Sequence, residues 1–136
     1  MTNTLSPEIY WLVLTTFLTV LMWVPYILNR VMELGLLKAM QTPEPGRTPE
    51  ADWAYRNERA HKNAIENLVI FAPLILAIAI TGNASPLTAM AAQVYFWARL
   101  AHFAIYVAGI PVLRTLAFAV GFGAEVVLAL VLLGVI

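Results

Sequence analysis

The chain has 136 residues, of which 61% are hydrophobic and 12% charged, far more apolar than a soluble domain of this size. Its net charge of zero removes the bulk electrostatic case for nucleic acid as a partner. Cysteine is absent, which excludes disulfides, thiolate metal sites, Fe–S clusters and a protein thiol nucleophile, so any thiol chemistry must use a bound thiol.

With a mean hydropathy of +0.78, the chain reads as an all-α integral membrane protein forming a single domain over residues 1–136. Four segments, about 8–36, 54–81, 86–108 and 111–136, reach or exceed the ~20 residues that cross hydrocarbon as a helix. A bundle of four transmembrane helices is therefore expected, with no soluble domain left over. The first segment lacks a basic leader and a small-residue cleavage site and is too long for a signal peptide, so it is expected to remain as a mature helix. Pro25 predicts a kink in it, and its far end brings Asn29, Arg30 and Glu33 onto one face. The stretch 42–50 holds three prolines and a glycine and marks a loop of about 40–53, beyond which Trp53 and Tyr55 suit a membrane interface.

The second helix carries Arg59, Lys62, Asn63 and Glu66 at i, i+3, i+4 and i+7, a spacing that gathers them on one face. Ionisable residues at membrane depth face a bundle interior or a wet cavity, so this stripe is expected to point into the protein. His61, off the stripe, reads as interfacial. Pro73 lies in the apolar half of this helix. A short turn then leads to Pro86, which opens the third helix where a missing amide donor is harmless.

The third helix sets Arg99, His102 and Tyr106 at i, i+3 and i+7. At 1.5 Å per residue, Arg99 lies about 20 Å from Pro86 and Glu66 about 22 Å from Thr81. The two are expected to form an ion pair across the hairpin that fixes helix packing, Glu66 remaining a candidate for the site as well. After Gly109-Ile110-Pro111, Arg114 falls in the first turn of the fourth helix and adds a guanidinium to the partial positive charge of the helix start. Ala117 with Gly121, and Ala119 with Gly123, give the small-residue spacing of close helix contacts. Glu125 sits mid-membrane with no role assigned to it.

Six of the eight basic residues, Arg30, Lys38, Arg47, Arg56, Arg59 and Lys62, lie on or beside the first loop, while the second connection and both ends carry none. The positive-inside rule puts that loop on the cytoplasmic side and both termini on the opposite side. Lys38, Arg47 and Arg56 read as headgroup contacts.

The run Arg59-Ala60-His61-x-Asn63-x-x-Glu66, with Arg99-x-x-His102-x-x-x-Tyr106 and an arginine opening the fourth helix, resembles the MAPEG superfamily, membrane-associated proteins in eicosanoid and glutathione metabolism. The third-helix motif is similar to that of microsomal prostaglandin E synthase. The resemblance spans nearly the whole chain. It implies a four-helix protomer assembled as a homotrimer, with glutathione as co-substrate between subunits near the cytoplasmic face. On the matching positions, Lys62, Asn63, Glu66, His102, Tyr106 and Arg114 would line the site, and Arg30 would come from the adjacent protomer. Two positions depart from the pattern. Lys62 stands where several members have arginine, which loses bidentate carboxylate binding, and Phe118 replaces the tyrosine hydroxyl of the prostaglandin synthase type.

Glutathione carries two carboxylates, an ammonium and a thiol. Arg30, Lys62 and Arg114 offer cations, Glu66 an anion, and Asn63, His102 and Tyr106 hydrogen-bonding groups. Arg114 is the residue expected to stabilise the thiolate. The expected protein is thus a glutathione transferase or peroxidase of a bacterial inner membrane, acting on lipophilic electrophiles or peroxides in detoxification without a metal. Two other classes are open. One is a non-catalytic lipid-binding member, as the lipoxygenase-activating protein is within that family. The other is a small transporter using Glu125 and the second-helix charges as a relay.

Overall fold

The computed structural model describes residues 4–136, which contain six helices and no strand. These are α1 (Pro7–Leu21), α2 (Trp23–Leu34), α3 (Leu36–Ala39), α4 (Asp52–Thr81), α5 (Pro86–Ala108) and α6 (Pro111–Leu132). Three helical stretches are long and apolar enough to cross a membrane: Pro7–Leu34, Asp52–Thr81 and Pro111–Leu132. At 23 residues α5 has the length of a crossing, but Gln93, Arg99 and His102 dilute its hydropathy. It packs against α6, α4 and α1. Leu12, Phe71, Ile75, Ala92, Tyr95, Ala124 and Leu128 meet in the core, where the Phe71 and Tyr95 rings stack 3.8 Å apart.

The first apolar segment divides at Met22, three residues before the proline that causes the break. A proline lacks the N–H that would bond back to the carbonyl four residues earlier, and its ring crowds that carbonyl, so the disturbance appears upstream. Buried Asn57 of α4 donates to the Met22 carbonyl at 2.8 Å, a second bond on that carbonyl that ties α4 to the junction of α1 and α2. Asn57→Leu is expected to remove this tie and to cost about 0.5–1.5 kcal/mol, measured as a lower midpoint of thermal unfolding in detergent.

Gly35, with φ of 81°, stops α2. The turn that follows is tied back to it: Glu33 Oε1 accepts from Asn29 Nδ2 at 2.8 Å and from the backbone amides of Glu50 and Ala51 at 3.0 and 3.3 Å. Arg30 Nε donates to the Ala39 carbonyl at 3.2 Å. The polar face of α2 thus holds its own protomer's loop in place. His61 Nδ1 lies 2.9 Å from the Tyr26 hydroxyl and links α4 to α2.

At the hairpin, Ser85 and Thr88 form a reciprocal capping box that starts α5. The Thr88 hydroxyl also meets the buried carboxylate of Glu8, joining the starts of α1 and α5. At the other end of α5, Arg56 Nε donates to the Val107 carbonyl at 2.9 Å. The sequence reading gave Arg56 to lipid headgroups; the structure uses it to cap a helix end, where a cation complements both free carbonyls and the helix dipole.

The two small-residue pairs of α6 point in different directions. A Cβ on Gly121 would meet Ala98, Arg99 and Tyr95 at 3.7–3.8 Å, whereas a Cβ on Gly123 would meet nothing within 4 Å. Gly121→Ala is therefore expected to fold normally and unfold at an unchanged or slightly higher temperature. Gly121→Leu should lower stability by about 1–3 kcal/mol through overpacking against α5.

Candidate functional site

Residues from three helices meet at an open cleft of about 270 Å³, lined by Asn63 of α4, His102 and Tyr106 of α5, and Arg114, Thr115 and Phe118 of α6. The turn at Gly109, with φ of 82°, lets α6 fold back along α5. Pro111 then starts α6 so that Arg114 faces Tyr106. The Arg114 guanidinium carbon lies 4.6 Å from the centroid of the Tyr106 ring, a cation–π contact that fixes its direction. The His102 ring meets Tyr106 edge-on at 5.6 Å and Phe118 at 6.2 Å. The cleft therefore combines a held cation, a phenol, an imidazole and an amide beside the Phe118 ring.

Asn63 is placed by the helix beneath it and by its neighbour. Its Oδ1 accepts from Arg99 Nη2 at 2.7 Å, and Asn67 Nδ2 bonds to the Asn63 carbonyl at 2.8 Å. This corrects the expected Arg99–Glu66 ion pair: Arg99 is buried against Asn63, one turn before Glu66, and Glu66 is exposed with no ion pair among the described residues. Glu66 instead stands on the exposed face of α4, turned away from Arg99.

The stripe on α4 also turns opposite to expectation. Arg59, Lys62 and Glu66 are exposed on the protomer, and only Asn63 turns inward. The inward face of α4 carries Ala54, Asn57, Ala60, Ala64 and Phe71 instead, small or apolar groups that cost far less to bury. Lys62 sits 3.7 Å from Glu58 one turn earlier and does not line the cleft. Arg30 belongs to a different cavity, about 500 Å³ in volume, under the loop between α2 and α4, together with Tyr26, Arg47 and Glu58.

Of the seven residues expected at the site, the protomer thus brings together Asn63, His102, Tyr106 and Arg114, and it leaves Lys62, Glu66 and Arg30 apart. Thr115 was missed; its place beside Arg114 in the first turn of α6 was the available signal. Also missed was a buried cluster one layer deeper, where Tyr95, Arg99 and Glu125 face one another across α5 and α6.

Described residues that form helices and no strand, with three helical stretches of membrane-crossing length and a polar cleft between helices, make an integral membrane protein. The model of the MAPEG family matches residues 9–134, nearly the whole chain, and the protein belongs to that family. Its members include glutathione-dependent enzymes and non-catalytic proteins. Among curated proteins, none matches the chain.

Proposed function

We propose that this protein is a glutathione-dependent membrane enzyme that holds the tripeptide as its thiolate and directs the sulfur at a lipophilic electrophile or peroxide. The observation that carries this reading is the convergence of Arg114, Tyr106, His102 and Asn63 on one open cleft. The Arg114 guanidinium, aimed by its stacking on Tyr106 and reinforced by the start of α6, favours an ionised sulfur. Holding that sulfur beside an apolar substrate then lowers the barrier by proximity and by preorganised charge. An electrophile dissolved in the bilayer would reach the open side of the cleft laterally, and the peptide would enter from the cytoplasmic side of the membrane.

The working unit of this proposal is a homotrimer of protomers that each cross the membrane four times. A cleft of about 270 Å³ is below the ~300–1,000 Å³ usual for small-molecule sites and is open on one side. Arg59, Lys62 and Glu66 stand on the exposed face of α4, within a stretch long and apolar enough to cross a membrane. A second copy laid on this face would cover those charges, add walls to the cleft and bring Lys62, Glu66 and a neighbour's Arg30 toward glutathione. The same requirement that charges avoid lipid supports α5 as the fourth crossing, since Arg99 and His102 are buried among the other helices.

The reading is tested by titrating glutathione into the detergent-solubilised protein in a calorimeter and by assaying conjugation of chlorodinitrobenzene. Saturable binding with conjugation supports the enzyme. Saturable lipid binding without glutathione binding supports instead a non-catalytic member, a reading favoured by one feature, the apolar Phe118 ring against His102 in the cleft.

A further inference from the structure

Beneath the cleft, four side chains carry buried polar atoms that no hydrogen bond among the described residues satisfies: the Tyr95 hydroxyl, Arg99 Nε, His102 Nδ1 and Glu125 Oε1. Each residue is more than nine-tenths buried, with exposures of 1%, 3%, 2% and 5% respectively. Unsatisfied buried polar atoms are uncommon in native proteins, and four in one region form a polar cluster, which bridging water suits and hydrocarbon does not.

The four are contiguous. Tyr95, Arg99 and His102 occupy successive turns on one face of α5, and His102 also lines the cleft. Glu125 stands on α6 seven residues beyond Phe118, two turns or about 10 Å from the cleft wall. Gly121, one turn before Glu125, has no side chain to fill the space beside Arg99 and Tyr95. The charged and titratable groups acting on Glu125 are Tyr95 and Arg99, both on α5; α4, the other helix against α6, contributes none.

We infer that these side chains form a hydrated proton-holding site serving the cleft, in which water bridges His102, Arg99 and Tyr95 and the Glu125 carboxylate takes up the proton released by the bound thiol. The inference rests on the thiolate reading given above. The S–H bond breaks, its electron pair stays on sulfur beside Arg114, and the proton moves through water to a Glu125 oxygen. Charge is conserved within the protein: the thiolate gained at the cleft replaces the carboxylate lost at Glu125. The proton is then available to the leaving group or to the reduced product when the sulfur reacts. Glu125 touches no substrate in this scheme and acts as a positioning residue for the proton.

The test reads proton balance. Glutathione is mixed with weakly buffered protein in detergent containing a pH indicator, and thiolate formation is followed by its ultraviolet absorbance. Wild-type protein should form thiolate with far less than one proton released per thiolate, Glu125→Gln should release close to one, and Glu125→Asp should restore uptake. In infrared difference spectra, wild-type protein should gain the C=O stretch of a protonated carboxylic acid on binding. That band decides the matter alone if the glutamine variant does not fold. Equal proton release in wild type and Glu125→Gln, or thiolate formation in wild type without the carboxylic acid band, overturns the inference and leaves the thiolate reading standing. Wild-type protein that binds glutathione but forms no thiolate overturns the thiolate reading itself, and the proton-holding role with it.

Discussion

Arg114→Ala is expected to bind glutathione yet form almost no thiolate, with kcat/KM for conjugation lowered by about 10²–10³-fold, the usual effect of removing one preorganised charge-stabilising donor. A thiol without such help titrates near ~8.5, so at neutral pH only a few per cent is ionised. Among the described residues, Arg114 is the one guanidinium lining the cleft, and the Tyr106 ring 4.6 Å away restricts where it can point. Two companion variants separate the charge from its direction. Arg114→Lys keeps a cation but loses the planar group that stacks on Tyr106, so it should fall between wild type and alanine. Tyr106→Phe retains the ring and should preserve most of the thiolate, any loss reporting the hydroxyl alone. The measurement is the thiolate absorbance of the glutathione-saturated protein, with the unfolding midpoint as a control for the fold. Thiolate unchanged in Arg114→Ala would move the stabilising role to another group.

How far the sequence discloses this arrangement depends on what each residue needs from the rest of the chain. Helical spacing is local, so the grouping of His102 with Tyr106 and the position of Arg114 just inside a helix start were legible, and the structure joins them with Asn63 in one cleft. Which side of a helix faces inward is not local. The spacing of Arg59, Lys62, Asn63 and Glu66 establishes a common stripe, but the competing stripe of Ala54, Asn57, Ala60 and Ala64 is cheaper to bury and takes the interior. The partner across a hairpin was not readable either: Arg99, expected to meet Glu66, bonds to Asn63 one turn earlier. Contacts between distant segments left no trace in local pattern. Arg56 on the Val107 carbonyl, Asn57 on the Met22 carbonyl and Glu8 against Thr88 each join residues at least 35 positions apart. The division of the first helix shows the intermediate case, in which Pro25 announced a break whose location depended on the carbonyls upstream of it.

The largest loss of stability is expected from Arg99→Ala, about 3–5 kcal/mol, the range for removing one member of a buried charged arrangement and leaving the other uncompensated. Arg99 is 3% exposed, holds Asn63 at 2.7 Å, and is the cation that acts on buried Glu125 from the facing helix. Alanine would open a cavity beside Gly121, free Asn63 from its partner and leave the Glu125 carboxylate without the cation that faces it. Arg99→Met separates these costs, because it refills much of the volume and removes only the charge and the hydrogen bonds. Glu125→Gln removes the opposing charge at nearly constant shape. When both charges are absent, the desolvation cost of each disappears with their attraction, so the double variant Arg99→Met, Glu125→Gln should be more stable than the sum of the single losses predicts, by at least ~1 kcal/mol. Thermal unfolding of the four proteins in one detergent measures that difference. Strict additivity would mean that Arg99 serves α4 through Asn63 alone and that Glu125 is stabilised elsewhere. A recovered double variant would show that the charges on α5 and α6 form one unit, placed so that neither meets lipid.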